Sequence, residues 1–145
     1  MKILVPVDGS KYSTEALYTA ISYAKKLGAE LYVVTVVPWT EDIDFEITVT
    51  DREVLRKGIE ERGESIVNKA CDIIAGENIK SYCKAIITSI SVPDAIIDFT
   101  EKEKIDLVVI GSRGLTPSKR FMMGSVASQV VRRSPCSVYV VRKSE

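Results

Sequence analysis

Apolar runs of strand length alternate with stretches of helical periodicity along this chain. Lys2 to Val7 is a mostly apolar strand, followed by an Asp8-Gly9-Ser10 turn. From Ser13 to Leu27 apolar residues recur at Ala16, Leu17, Ala20, Ile21, Ala24 and Leu27, which is one face of a helix. Gly28 follows at a position that suits a left-handed helix end. Leu31 to Val37 is a second apolar strand, closed by Pro38. Residues 38 to about 52 hold Trp39, several acids and a weak alternation at Ile43, Phe45, Ile47 and Val49, which predicts a loop. Glu53 to Ala75 reads as a long amphipathic helix with Leu55, Ile59, Ile66, Ala70 and Ile73 on one face. Gly58 and Gly63 weaken it locally, and Gly76 ends it. Ser81 to Thr88 is a third strand of mixed polarity. Ser91-Val92-Pro93-Asp94 is a helix start: a capping serine, a proline in the first turn and an acid facing the dipole. That helix runs to about Lys104, and Asp106 to Ile110 is the fourth strand. Gly124 to Arg133 is the fourth helix, stopped by Ser134-Pro135, and Ser137 to Arg142 is the fifth strand.

Five strands alternating with four helices predict a single α/β domain over residues 1–145. The sheet is open and parallel, with helices on both faces. Right-handed crossovers leave few topologies, and the third strand decides among them. It carries Lys84 inside and Tyr82 near its start, so it tolerates solvent and suits a sheet edge. That favours the spatial order 3-2-1-4-5 over 2-1-3-4-5, in which the third strand would be central. In order 3-2-1-4-5 the winding reverses between the first and fourth strands, and open α/β sheets bind ligands beside such a reversal. The loops there are Asp8-Gly9-Ser10 and Gly111-Ser112-Arg113-Gly114.

Composition narrows the class further. The chain is 46% apolar and 28% charged, with twenty basic and twenty acidic residues. No basic field argues for nucleic acid. With no histidine and three scattered cysteines (Cys71, Cys83, Cys136), a zinc site is not expected. The odd cysteine count favours reduced thiols, each a small buried hydrophobe. The apolar N-terminal run is too short for a signal peptide or a membrane span, so a cytoplasmic protein without membrane association is expected.

The candidate chemistry lies between Asp106 and Val126. Glycines let backbone N–H groups crowd an anion, and the helix opened by Gly124-Ser125 adds orphan donors and a positive dipole end. By chemistry alone two readings stand: an anion cradle, or a tight turn made by Gly111 and Gly114. The loop lacks the lysine and spacing of a P-loop and the spacing of a dinucleotide fingerprint. Asp8 either caps the first turn or accepts from a ligand. Lys119 and Arg120 are either phosphate partners or solvated loop charges. Phe121, Met122 and Met123 form an apolar cluster that packs into the core, over a ligand or on a partner. Trp39 lines either the cleft mouth or a dimer contact.

The spacing Gly111-x2-Gly114-x9-Gly124-Ser125 fits the G-x2-G-x9-G-[S/T] pattern of the universal stress protein family. The opening Ile3-Leu4-Val5-Pro6-Val7-Asp8-Gly9-Ser10 and the ending Pro135-Cys136-Ser137-Val138-Tyr139-Val140-Val141 resemble that family too. The resemblance spans the whole chain. It implies a Rossmann-like, adenine nucleotide alpha hydrolase-like sheet in order 3-2-1-4-5. It also implies the subclass that binds ATP, together with magnesium or manganese. In such members Gly111, Gly114, Gly124 and Ser125 surround the phosphates. Ile110, Ser112, Arg113 and Val126 flank them and the ribose. Pro6, Val7 and Asp8 lie at the base, and the backbone at Val36 reads the adenine edge. No direct protein ligand to a metal is expected, though Asp8 can reach one through water.

The fifth strand, Val138-Tyr139-Val140-Val141, is apolar throughout yet would be a sheet edge, which invites pairing. A homodimer through this strand, as the family commonly shows, is the simplest resolution. No acid–base pair for catalysis is visible. The leading expectation is an ATP-binding regulator in a stress response, with slow or no hydrolysis. A slow ATPase or phosphotransfer enzyme and a nucleotide-free dimeric scaffold are the alternatives.

Overall fold

The computed structural model describes residues 1–39, 48–115 and 122–143. The chain runs β1 (Lys2–Pro6), α1 (Lys11–Leu27), β2 (Glu30–Pro38), α2 (Val49–Ile74), β3 (Ser81–Thr88), α3 (Val92–Lys102), β4 (Leu107–Gly111), α4 (Ser125–Arg133) and β5 (Ser137–Val141). All strand pairs are parallel, and the sheet order is β3-β2-β1-β4-β5. The mixed polarity of β3 does mark an edge: Tyr82 and Lys84 are exposed. β1 and β2 hold the centre because Ile3, Leu4, Val5, Leu31, Val33 and Val34 are fully buried.

Side-chain alternation splits the core into two layers. Ile3, Val5, Val7, Leu31, Val33 and Val109 face α1 and α2. Leu4, Tyr32, Val34, Val108 and Ile110 face the other way, with Ile96, Ala127 and Val130 of α3 and α4. Helix ends follow local chemistry. Ser10 Oγ accepts from Ser13 N–H to start α1, and Gly28 closes it in the left-handed region at φ 63°. Ser91 caps α3, and its hydroxyl also donates to Asp94. That bond, and the Arg133 guanidinium beyond it, hold the Asp94 carboxyl below its ordinary value. Arg133 thereby joins the end of α4 to the start of α3.

The segment expected to be loop to residue 52 is already helical from Val49. Thr48 Oγ1 accepts from Asp51 N–H and starts α2 four residues early. Residues 40–47, which hold most of that weak alternation, lie outside the described residues. The buried face of α2 is also narrower than its periodicity suggested. Only Gly63, Val67, Ala70 and Ile74 are buried, and Val49, Val54 and Leu55 are exposed. Gly63 is not a weak point. A Cβ there would lie 3.0 Å from Val37 Cγ2, so the glycine lets α2 settle onto β2.

The expectation of three reduced thiols is overturned. Cys71 and Cys83 are bonded to each other, with Cα atoms 6.5 Å apart, and Cys136 is free. α2 folds back over β3, so cysteines twelve residues apart meet across the helix–sheet layer. Among the described residues no helix is long and apolar enough to cross a membrane.

The two glycines of α2 should respond oppositely to substitution. Gly58 has nothing within 4 Å of an added Cβ, so Gly58→Ala should stabilise by about 0.5–1 kcal/mol through helix propensity. Gly63→Leu should destabilise by about 1–3 kcal/mol by overpacking. Urea unfolding of the two variants measures both signs.

Candidate functional site

The turn after β1 is built on Asp8. Its Oδ1 accepts from Ser10 N–H at 2.9 Å, and its own N–H donates to Ser13 Oγ at 3.3 Å. Ser13 Oγ donates in turn to the Ser10 carbonyl at 3.0 Å. Gly9 sits at φ 86°, which lets the chain reverse into α1. Of the two roles offered for Asp8, the structure shows the turn-capping one in part. Ser10, not Asp8, caps α1, while one carboxylate oxygen ties the turn.

The other oxygen meets the loop after β4. A Cβ on Gly114 would lie 2.7 Å from Asp8 Oδ2, so the glycine leaves room for the carboxylate. Gly111 makes a different contact. Its Cα rests on the backbone of Tyr12, where an added Cβ would come within 2.8 Å of the carbonyl carbon and oxygen. Ser112 is buried. Its N–H donates to Val141 O at 2.9 Å and its carbonyl accepts from Gly124 N–H at 2.7 Å. The chain therefore returns at Gly124 to the point it left, and Gly124 packs against the Arg113 backbone.

Gly124 is the N-cap of α4, and among the described residues no side chain caps this helix. The first-turn amides and the positive end of the dipole thus open beside Gly114 and Asp8 without a built-in acceptor side chain. Ser125 is exposed at this end and Val126 packs on the core. The arrangement suits an anion held by backbone donors, with a hydroxyl alongside.

The structure brings Asp8, Gly111, Ser112, Arg113, Gly114, Gly124, Ser125 and Val126 to one end of the sheet, at the β1/β4 reversal. Val7 and Ile110 are buried core residues there, so they support the cleft rather than lend it an apolar side-chain face. Pro6 and Val36 are only half-buried. Val36 pairs with Ile86 of β3, on the β2 side of the cleft. Lys119, Arg120 and Phe121 lie outside the described residues. Met123 packs on the core, while Met122 is exposed and its carbonyl accepts from Arg113 Nε at 3.4 Å. Trp39 is half-buried and extends the β2–β3 pairing by donating to Thr88 O at 2.7 Å.

Two contributors escaped the sequence reading. Ser13 organises the Asp8 turn, and Tyr12 receives Gly111 on its backbone while the Arg113 guanidinium lies 5.9 Å over its ring. The Ser10-x-x-Ser13 spacing was the available signal, since capping boxes place a polar residue three after the cap.

The comparison with known families decides the identity. The model of the universal stress protein family matches residues 1–142. The chain belongs to this family. A universal stress protein of Methanocaldococcus jannaschii is 33% identical over 143 residues, covering 98% of this chain and 82% of that protein. The solved structure of the Archaeoglobus fulgidus universal stress protein in complex with dAMP is 25% identical, with a TM-score of 0.70. It covers 97% of this chain and 96% of its own. An Arabidopsis thaliana universal stress protein family structure with AMP bound, 15% identical, shares the fold with a TM-score of 0.70 over 99% and 92% of the two chains. Adenine nucleotides are thus bound by universal stress proteins of this fold.

The glycines of this universal stress protein divide by what they touch. Gly111→Ala should destabilise the fold by about 1–3 kcal/mol, because rigid backbone faces the new methyl. Gly114→Ala should cost little stability, because the group it displaces is the tip of a side chain. Thermal and urea unfolding of the pair tests this; equal losses would refute the division.

Proposed function

We propose that this universal stress protein binds ATP between the Asp8 turn and the Gly111–Val126 segment. In this reading it acts in the cytoplasm as a nucleotide-gated regulator of a stress response, with slow or no hydrolysis. The supporting observation is the uncapped start of α4 beside Gly114, where only glycine leaves room for Asp8 Oδ2. The dAMP and AMP complexes of the two related structures favour an adenine nucleotide over other anions. In this reading Gly114, Gly124 and Ser125 hold phosphates, Ser112 and Arg113 flank them, and Pro6 and the Val36 backbone lie by the base. Ile110, Val7 and Val126 shape the walls, and Gly111 sets their spacing.

Magnesium or manganese fits this site as a companion of the phosphates. Asp8 Oδ1 is engaged by Ser10, which leaves Oδ2 as the oxygen to reach a metal through water. Bound there, the ion would neutralise phosphate charge. Phosphoryl transfer needs positioned charge on both sides of the phosphoryl group. Asp8 supplies a water-orienting oxygen, and among the described residues no proton shuttle is paired with it, which favours holding over turnover.

Isothermal titration with MgATP, and single-turnover assays with labelled ATP, test the reading. Ser125→Ala should weaken binding by about 1–2 kcal/mol, roughly five- to thirty-fold in Kd. Gly124→Val should abolish it while circular dichroism stays unchanged. Wild-type protein without affinity for adenine nucleotides would leave the dimeric scaffold as the better account.

We further propose a homodimer through β5. Its Val138, Val140 and Val141 pack inward, but Tyr139 is 41% exposed at the sheet edge beside Tyr23. Tyr139→Asp should yield a monomer by light scattering, against a wild-type dimer. A monomeric wild type would overturn the interface.

A further inference from the structure

At the opposite end of α2 from its cap, the Cys71–Cys83 bond sits beside an open cavity of about 700 Å³. Cys71 lines it, with Gly76, Asn78, Lys80 and Ser81. Cys83 is not among its lining residues; it packs on the core under α2. A volume of this size admits a small organic molecule. Both cysteines are half-buried, and Cys71 is the one that the cavity reaches.

The bond also falls where α2 needs it. The helix buries four residues out of 26, so its hold on the sheet is thin for its length. Five residues before Cys71, Ile66 Cγ1 lies 3.7 Å from the position of a Gly9 Cβ, against the turn that carries Asp8. Cys83 sits on β3, in register with Val33 of β2. The bond therefore clamps the helix that braces the turn. In a reducing compartment, such bonds are usually transient and redox-responsive. The cytoplasmic placement proposed above supplies that setting; the exchange chemistry itself does not depend on nucleotide binding.

We propose that Cys71–Cys83 is a thiol–disulfide exchange site for a low-molecular-weight thiol, entered through this cavity at Cys71. A thiolate attacks Cys71 Sγ, forming a mixed disulfide as the Sγ–Sγ bond breaks and Cys83 leaves as a thiolate. Cys83 takes a proton from water. A second thiolate attacks the small molecule's sulfur and releases Cys71. Two thiols are oxidised to one disulfide, and the protein gains two electrons and two protons. The reduced state loses the clamp between α2 and β3.

The test uses glutathione on the Cys136→Ser protein, which removes the remaining thiol. Incubated with oxidised glutathione, Cys83→Ser in this background should gain one glutathione at Cys71 by intact mass. Cys71→Ser should react at least tenfold more slowly at Cys83; equal rates would overturn the assigned entry point. In the parent protein, millimolar reduced glutathione should release two thiols. The melting temperature should fall by roughly 5–15 °C, and amide exchange should rise from Gly63 to Ile74. A bond that resists this thiol in the folded protein would be a permanent staple and would overturn the proposal. So would two thiols that stay free in oxidised glutathione, or exchange in α2 that is the same in both states.

Discussion

The cleft depends on one close approach, that of Gly111 to the backbone of Tyr12. Parallel strands β1 and β4 are neighbours in the sheet, but their following segments leave in opposite directions. The start of α1 therefore passes over the end of β4. Only a residue without a side chain lets it pass at this distance, because the atoms it meets are main-chain and cannot turn aside. That contact brings the Asp8 turn and the Gly114 loop within reach of each other. The hydrogen bond from Ser112 to Val141 then fixes the loop against β5, and the bond from Gly124 to Ser112 sets where α4 begins. Geometry where α4 begins thus descends from a single packing constraint in the sheet.

The architecture was readable because burial in a parallel sheet has a strong compositional trace. Strands covered on both faces are nearly unbroken apolar runs, and the one strand with Lys84 and Tyr82 lies at the edge where its polarity placed it. Glycine spacing likewise marked the loop after β4 that meets the Asp8 turn. What stayed hidden was set by tertiary fit. The cap at Thr48 was masked by the acids and weak alternation that precede it. Gly63 reads as a helix weakness until Val37 is seen against it. The Cys71–Cys83 bond depends on the rotational setting of α2 over β3, which spacing alone does not reveal. Val7 and Ile110 belong by position to the cleft, yet their side chains point into opposite core layers.

The two layers of the core do unequal work. On the α3/α4 side, small helices are held by dense apolar contact and by the Arg133–Asp94–Ser91 chain at their ends. On the α1/α2 side, α1 is firmly seated, while the long α2 touches the sheet along a narrow stripe. A helix held by few contacts opens at lower free energy than its neighbours. The covalent link lies within the half of α2 that does touch, so it reinforces the contact already present and leaves the cap end dependent on weaker forces.

The bond between Gly124 N–H and Ser112 O has an evolutionary corollary. It ties residues 113–123 at their neck, so the main fold resumes where it paused. The axis of α4 and the end of β4 are therefore referred to each other by one main-chain bond. The start of α4 is thereby set by main-chain atoms, which a change of side chain on its neighbours leaves in place. Side chains there become separately mutable from the position of the helix.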